Sequence, residues 1–375
     1  MKNHTLHLHD FIGLINQLYP PDLAEEWDNV GLQVGEPGSR IERIMIALDP
    51  TFTNLQYAHE QKCQLLLTHH PLIFKPLKQI STSDPTGNSI AYALRHNINI
   101  MCAHTNLDSG ADGLNDWLAA TLELEQPDIL QPSGNEELLK LVAYVPDSHA
   151  EEVMEGLFRG GAGHIGEYDK CAFSSRGRGQ FRPLEGSDPF IGTSNEVEHV
   201  EETRVETIVP RRNLNKVLKQ LFRAHPYEEV AYDLFELQNR NTTAGLGRIG
   251  TLQSPTTLEE FAHRCKEHLG CSGLRMVGSD EAKVHKVAVC SGSGSGAMHA
   301  AKFSGADTLV SGDLKYHEAQ RAQELGLNII DAGHFATEII AAAGLRRILE
   351  AELTRRGYST EILTAPDEQD PFIFI

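Results

Sequence analysis

Leu65-Leu66-Leu67-Thr68-His69-His70-Pro71-Leu72 decides how the rest of this 375-residue chain is read. An apolar run closed by a β-branched residue, with a turn-forming proline behind it, predicts a strand over Leu65–Thr68 that is buried on both faces. The two histidines then stand at its carboxyl end, the edge of an open α/β sheet where ligands bind. Adjacent imidazoles can approach one or two metal ions from neighbouring backbone positions. An isolated His-His pair is more often two solvated loop histidines than a metal site, so the reading turns on whether matching groups recur elsewhere.

They do. Leu327-Asn328-Ile329-Ile330 predicts another buried strand, followed by Asp331-Ala332-Gly333-His334-Phe335-Ala336-Thr337-Glu338. His334 and Glu338 are four apart, on one face of a helical start, so their side chains can share a divalent cation. Glu338 is expected to open the helix that runs on through Leu349. A third strand end, Met101-Cys102-Ala103-His104-Thr105-Asn106-Leu107-Asp108, again places a histidine four residues before a carboxylate. Each pair alone is also compatible with a helix cap. Three such strand ends in one chain predict a metal centre.

The length is enough for two or three domains and a large core. With 52 acidic against 33 basic residues, the formal net charge of −19 opposes binding to nucleic acid, which needs a basic face. No basic segment leads into an apolar stretch at the start, and no apolar run reaches about 18 residues, so neither secretion nor a membrane span is expected. The six cysteines form no CxxC pair, as expected of free thiols in a reducing cytoplasm.

Taken in order, residues 9–19 predict an amphipathic helix capped by Asp10 and stopped by Pro20-Pro21. Glu25-Glu26-Trp27-Asp28-Asn29-Val30-Gly31-Leu32 reads as a polar loop, either a packed turn or a source of outer groups (Asp28, Asn29) for the histidines. Strands at 44–48, 65–68 and 98–103 alternate with helices at 53–62, 88–96 and 114–122, which predicts a parallel sheet. The second half repeats the plan. A strand at 284–290 leads through Ser291-Gly292-Ser293-Gly294-Ser295-Gly296 into a helix to about 303, a strand at 308–310 ends in Ser311-Gly312-Asp313, and the next helix carries His317. The shared order reads as an internal duplication. The Ser-Gly run lacks a phosphate-loop lysine and reads as a tight turn or as backbone N–H groups open to an anion.

Between the halves, 137–238 has a different character. Strands at 139–144, 203–208 and 230–236 and helices at 148–159 and 214–223 predict a ferredoxin-like α+β module, with 174–197 as a long loop or hairpin. Polar linkers at 132–134 and 239–245 bound it. The domain reading is therefore 1–136 and 239–375 as two lobes of one core, with 137–238 inserted. The fold class is α/β, a two-lobed, pseudo-duplicated parallel or mixed sheet core with an inserted α+β domain. Within the insert, Gly163-His164-Ile165-Gly166 and His225-Pro226-Tyr227-Glu228-Glu229 read either as a ligand patch or as turns closing a compact unit.

Assembled, these pieces resemble the NGG-one-interacting-factor-three-like family, whose bacterial members are described as GTP cyclohydrolase I type 2 homologues. The resemblance rests on Glu26-Trp27-Asp28-Asn29-Val30-Gly31-Leu32, Thr68-His69-His70-Pro71-Leu72, His104-Thr105-Asn106-Leu107-Asp108, Ser311-Gly312-Asp313, Tyr316-His317 and Gly333-His334-Phe335-Ala336-Thr337-Glu338. It implies a dinuclear divalent-metal site with His69, His70, Asp108, His334 and Glu338 as ligands. It also implies a PII/CutA-like insert and a toroidal homohexamer with its metal sites facing an internal cavity. The function expected is metal-dependent hydrolysis of a nucleotide or related heterocycle, with His104 and Asp313 carrying protons. Mixed imidazole and carboxylate ligands suit two ions of zinc, manganese or iron. The alternative is a non-enzymatic metal-binding scaffold or regulator whose insert senses a small ligand.

Overall fold

The computed structural model describes residues 5–133, 137–166, 168–238, 244–366 and 368–375. The expected linkers at 132–134 and 239–245 fall partly outside those residues. The chain separates into two compact units, one made of 1–134 with 243–375 and the other of 135–242.

The first unit holds two large sheets. In the five-stranded sheet the order is Glu361–Thr364, Arg43–Ala47, Leu65–Thr68, Asn99–Cys102, Gly31–Val34. The first four strands run parallel, and Gly31–Val34 closes the edge antiparallel. Leu65–Thr68 is central and all four of its residues are buried. Its alternation divides between two cores. Ile44, Ile46, Leu65, Leu67 and Met101 face one cluster, whereas Met45, Ala47, Leu66 and Ile100 face the other. Burial on both faces is what an uninterrupted apolar strand requires.

The six-stranded sheet runs Arg275–Val277, Asn328–Asp331, Thr308–Ser311, Lys283–Val289, Gly245–Thr257, Glu125–Pro132. Its three consecutive strands Lys283–Val289, Thr308–Ser311 and Asn328–Asp331 are parallel, and the outer ones are antiparallel. The helix Ile340–Arg355 follows this sheet in the chain yet packs on the other. Ala341, Leu345, Leu349 and Leu353 share a core with Ile44, Leu65 and Met101. The chain then adds Glu361–Thr364 to the first sheet. That crossover ties the two sheets into one unit.

Several expectations are corrected. Asp10 is not the cap of the first helix, which spans Leu8–Leu18. It sits in the first turn, and its carboxylate accepts from the His7 backbone N–H at 3.4 Å. Glu338 does not open the long helix. It closes a separate short helix, His334–Glu338, with Ile340–Arg355 beginning beyond it. Gly31 and Leu32, the end of the stretch read as a polar loop, belong instead to the edge strand Gly31–Val34. The second unit is an antiparallel sheet in the order Tyr232–Glu236, Leu138–Pro146, Glu198–Pro210, Ala172–Phe181, with helices Ala150–Gly160 and Leu214–Ala224. Of the stretch 174–197 expected to be a loop or hairpin, 174–181 belongs to the strand Ala172–Phe181, which pairs antiparallel with Glu198–Pro210 beyond the stretch, and the rest connects the two.

Candidate metal centre

The carboxyl ends of the parallel strands deliver the site. His69 and His70 leave Leu65–Thr68, and His104 leaves Asn99–Cys102 to begin the one-turn helix Thr105–Ser109 that carries Asp108. From the other sheet, Asn328–Asp331 leads into His334–Glu338 through Gly333, whose φ of +87° is a conformation glycine adopts without penalty.

Each imidazole has its Nδ1 side held by the chain. His69 donates to the Ala103 carbonyl at 3.0 Å. His70 donates to Asp49 at 2.8 Å, His104 to Asp28 at 2.9 Å and His334 to Asp313 at 2.7 Å. Such outer partners fix the tautomer and leave Nε2 as a free lone pair for a cation. The Nε2 atoms of His70 and His334 lie 2.8 and 2.9 Å from Glu338 Oε2, and 3.3 Å from each other. His69 Nε2 lies 3.6 Å from Asp108 Oδ1 and 3.7 Å from Glu338 Oε2.

His69 is fully buried, and its Nε2 has no hydrogen-bond partner. An orphaned buried nitrogen between two buried carboxylates is costly as it stands. The spacing explains it. Two ligands of one tetrahedral ion, each about 2.1 Å from it, stand about 3.4 Å apart. The His69–Asp108 and His69–Glu338 separations are therefore those of ligand pairs around a shared ion rather than those of hydrogen-bonded pairs. The donor set fits a divalent cation. Two His/carboxylate groups able to hold a metal stand out among the described residues: His69, His70 and His104, and His70, His334 and Glu338, the ligand atoms of each lying within 4.8 Å of one another.

The electrostatics agree. Burial pushes the Asp108 carboxyl up, and the nearby His69 only partly offsets it, leaving it at about 6. Burial also pushes Glu338 up, but the charge of the nearby His69 and the hydrogen bonds from His334 and His70 outweigh it and hold the group well below the usual carboxylate range. For His70, burial works downward, but hydrogen bonds to Asp49 and Glu338 prevail and raise it to about 10. The Glu338 hydrogen bond does most for His334, against burial and with help from Asp313, raising it to about 9. Without an ion, these imidazoles bind protons in the place a cation would take.

The expected residues therefore converge: His69, His70, Asp108, His334 and Glu338 with His104 and Asp313 beside them. Asp28 reaches the cluster through His104, and its other oxygen accepts from Thr105 N at 3.1 Å. Asn29 does not, since its amide donates to the Ile73 carbonyl. His317 stays on an exposed helix and pairs with Gln320. The Ser-Gly run is not an open anion loop. Ser291 N donates to Asn115, Gly292 N to Thr337 and Gly294 N to Ser311. Gly292 matters for another reason. Its φ is +57°, and a Cβ there would fall 2.1 Å from Glu338 Oε1. In the other unit, both nitrogens of His225 are used internally, by the Tyr144 carbonyl and the Tyr227 N–H.

Sequence reasoning missed Asp49. It lies two residues beyond the strand Arg43–Ala47, the same strand-end position as the histidines, and that was its signal. It also missed the cleft beside His70 and His334, of about 800 Å³, walled by Leu274, Phe335, Phe372 and Phe374. Glu368 anchors that last segment by accepting from Leu48 N, Asp49 N and the Asn54 amide.

A family model for Duf34/NIF3 (NGG1p interacting factor 3) matches residues 6–371. The chain belongs to the Duf34/NIF3 family. A Bacillus subtilis (strain 168) member named GTP cyclohydrolase 1 type 2 homolog is 43% identical over 364 residues, 97% of each chain. A Halalkalibacterium halodurans protein of the same name is 44% identical over 97% of this chain and 98% of its own. The crystal structure of a Bacillus cereus protein related to NIF3 matches over the whole of both chains, with TM-score 0.94 at 42% identity. Staphylococcus aureus protein SA1388 matches with TM-score 0.80 at 28% identity, again over both chains. The family resemblance read from the motifs thus holds across the Duf34/NIF3 chain. No described helix is long and apolar enough to cross a membrane.

Proposed function

We propose that this Duf34/NIF3 protein is a dinuclear metal-dependent hydrolase acting on a nucleotide or related heterocycle. The observation that carries the reading is the orphaned Nε2 of His69, set at ion-sharing distance from Asp108 and Glu338. His69, Asp108 and Glu338 would hold one divalent ion and His70, His334 and Glu338 a second, of zinc, manganese or iron. Bound ions of this kind lower the pKa of water and polarise an electrophile. The chain's own work is positioning and proton transfer. Asp49 and Asp313 keep His70 and His334 aimed at Glu338, and Asp28 fixes the His104 ring so that its far nitrogen can carry a proton. The neighbouring cleft has the size of a small-molecule site, and relatives bear a cyclohydrolase name.

Other parts of the reading travel with it. The strand order of the second unit supports an inserted ferredoxin-like domain over 137–238 between core segments 1–136 and 239–375. The two large sheets each set three consecutive parallel strands beside an antiparallel strand from just upstream, which supports a duplicated core. All six cysteines are free, in keeping with a cytoplasmic setting. The homohexamer follows from the family resemblance and is tested by sedimentation. The functional test is a screen of nucleotides and phosphoesters against protein reconstituted with each metal. Turnover that disappears on chelation and returns with one metal is expected. Saturable binding with no turnover under any metal would instead select the scaffold or regulator.

A further inference from the structure

The second unit contains a cavity of its own, of about 270 Å³, beneath the connection between the strands Ala172–Phe181 and Glu198–Pro210. Its walls are aromatic. The Phe181 and Tyr227 rings stand 5.9 Å apart, and those of Phe190 and Tyr227 stand 6.3 Å apart, inclined by 60° and 49°. Phe190 is 53% exposed, although it is a large apolar side chain on a connection that folding alone does not oblige to carry one. The charged groups around these rings are mostly acidic. Glu202, Glu228 and Glu229 line the cavity against one guanidinium, Arg182.

Two of those carboxylates are fixed. Tyr227 Oη donates to Glu202 Oε1 at 3.1 Å, and the Asp188 N–H donates to Glu228 Oε1 at 3.0 Å. The connection is itself tied back, through Asn195 N to the Pro183 carbonyl at 2.7 Å. The arrangement is therefore built rather than incidental: the Tyr227 ring and two of the carboxylates are held by specific bonds.

We infer that this cavity is a binding site for a small organic cation, an alkylammonium group seated among Phe181, Phe190 and Tyr227. Ring faces attract a cation through their quadrupole, most strongly when it is desolvated. The carboxylates add a negative potential that favours a cation and opposes a phosphate-bearing ligand. The volume suits a ligand of few heavy atoms. This inference stands apart from the metal centre and does not depend on the hydrolase reading.

Calorimetric titration of the intact chain with choline, and separately with its neutral isostere 3,3-dimethylbutan-1-ol, tests it. Choline is expected to bind saturably and roughly tenfold or more tightly than the alcohol, with affinity falling as salt is raised. Phe190→Ala should weaken choline roughly tenfold, while Phe190→Trp should preserve or tighten it, since indole is the strongest cation-binding ring. Circular dichroism confirms that both variants are folded. Equal affinity for alcohol and choline, no saturable choline binding, a preference for ATP, or a folded Phe190→Ala protein that binds choline as wild type does would each overturn the assignment.

Discussion

Glu338 is the residue on which the centre turns. One of its oxygens lies within 2.9 Å of both His70 and His334 and 3.7 Å from His69, so a single charge serves both groups of ligands. Gln keeps the volume and removes the charge that offsets two divalent ions. Glu338→Gln should therefore lose both metals, whereas His69→Ala should lose one, as read by metal analysis of folded protein. Acid–base behaviour gives a second prediction. His70 at about 10 and His334 at about 9 lie above the ordinary histidine value near 6.5. In metal-free protein their contribution to stability is complete below pH about 6.5 and is lost as pH rises through 9 to 10. Metal competes with those same protons, so the loaded protein should not follow that decline. Thermal melts of chelator-treated and metal-loaded protein across pH 6.5 to 10 read the difference. A metal-free protein that gains stability over that range would contradict the assignment. The carboxylate of Asp28 behaves oppositely. Burial pushes it up, yet the His104 and Thr105 hydrogen bonds bring it to about 2, so its contribution is full above pH about 4 and is lost as pH falls toward 2.

At the scale of elements, the strand Leu65–Thr68 and the turn at Gly292 carry different burdens. Leu67 is fully buried in the middle of the five-stranded sheet. Leu67→Ala should cost about 2–5 kcal/mol of stability in denaturant unfolding. Gly292→Ala should cost metal as well as stability, because the added carbon meets the Glu338 carboxylate and the φ of +57° disfavours a side chain. A variant that keeps its full metal content would show that the loop yields more easily than its packing implies. These two elements also mark what was legible in the sequence. Leu65–Thr68 announces itself because burial on both faces demands an unbroken apolar run. The strand Gly245–Thr257 does not. Gly, Ser, Thr and Pro fill it, its pairing is irregular between Thr251 and Thr256, and antiparallel neighbours rather than side-chain pattern hold it. Glu125–Pro132 is largely exposed and ends in proline, so no periodicity betrays it. Among the site groups, the histidines were visible from spacing. Asp49 shared their strand-end position, but its partner was not legible, because only the adjacency of the strands Arg43–Ala47 and Leu65–Thr68 brings its carboxylate to His70. The role of Gly292 likewise depends on two chain segments meeting 46 positions apart, at Glu338.

For the whole molecule, one compact unit built from two stretches of chain, 1–134 with 243–375, owns the entire centre. Every proposed ligand lies in it, and its large apolar cores supply stability independently of any ion. Replacing 137–238 with a Gly/Ser linker should leave the metal content of the folded remainder unchanged, even if assembly changes. A folded deletion protein with less metal per chain would place ligands in the insert. The most direct measurement of the proposed dinuclear centre is anomalous diffraction at the metal edge from crystals of the intact, metal-loaded chain. Two peaks are predicted, one bounded by His69, Asp108 and Glu338 and the other by His70, His334 and Glu338. A single peak, or a pair that shares no oxygen of Glu338, would contradict it.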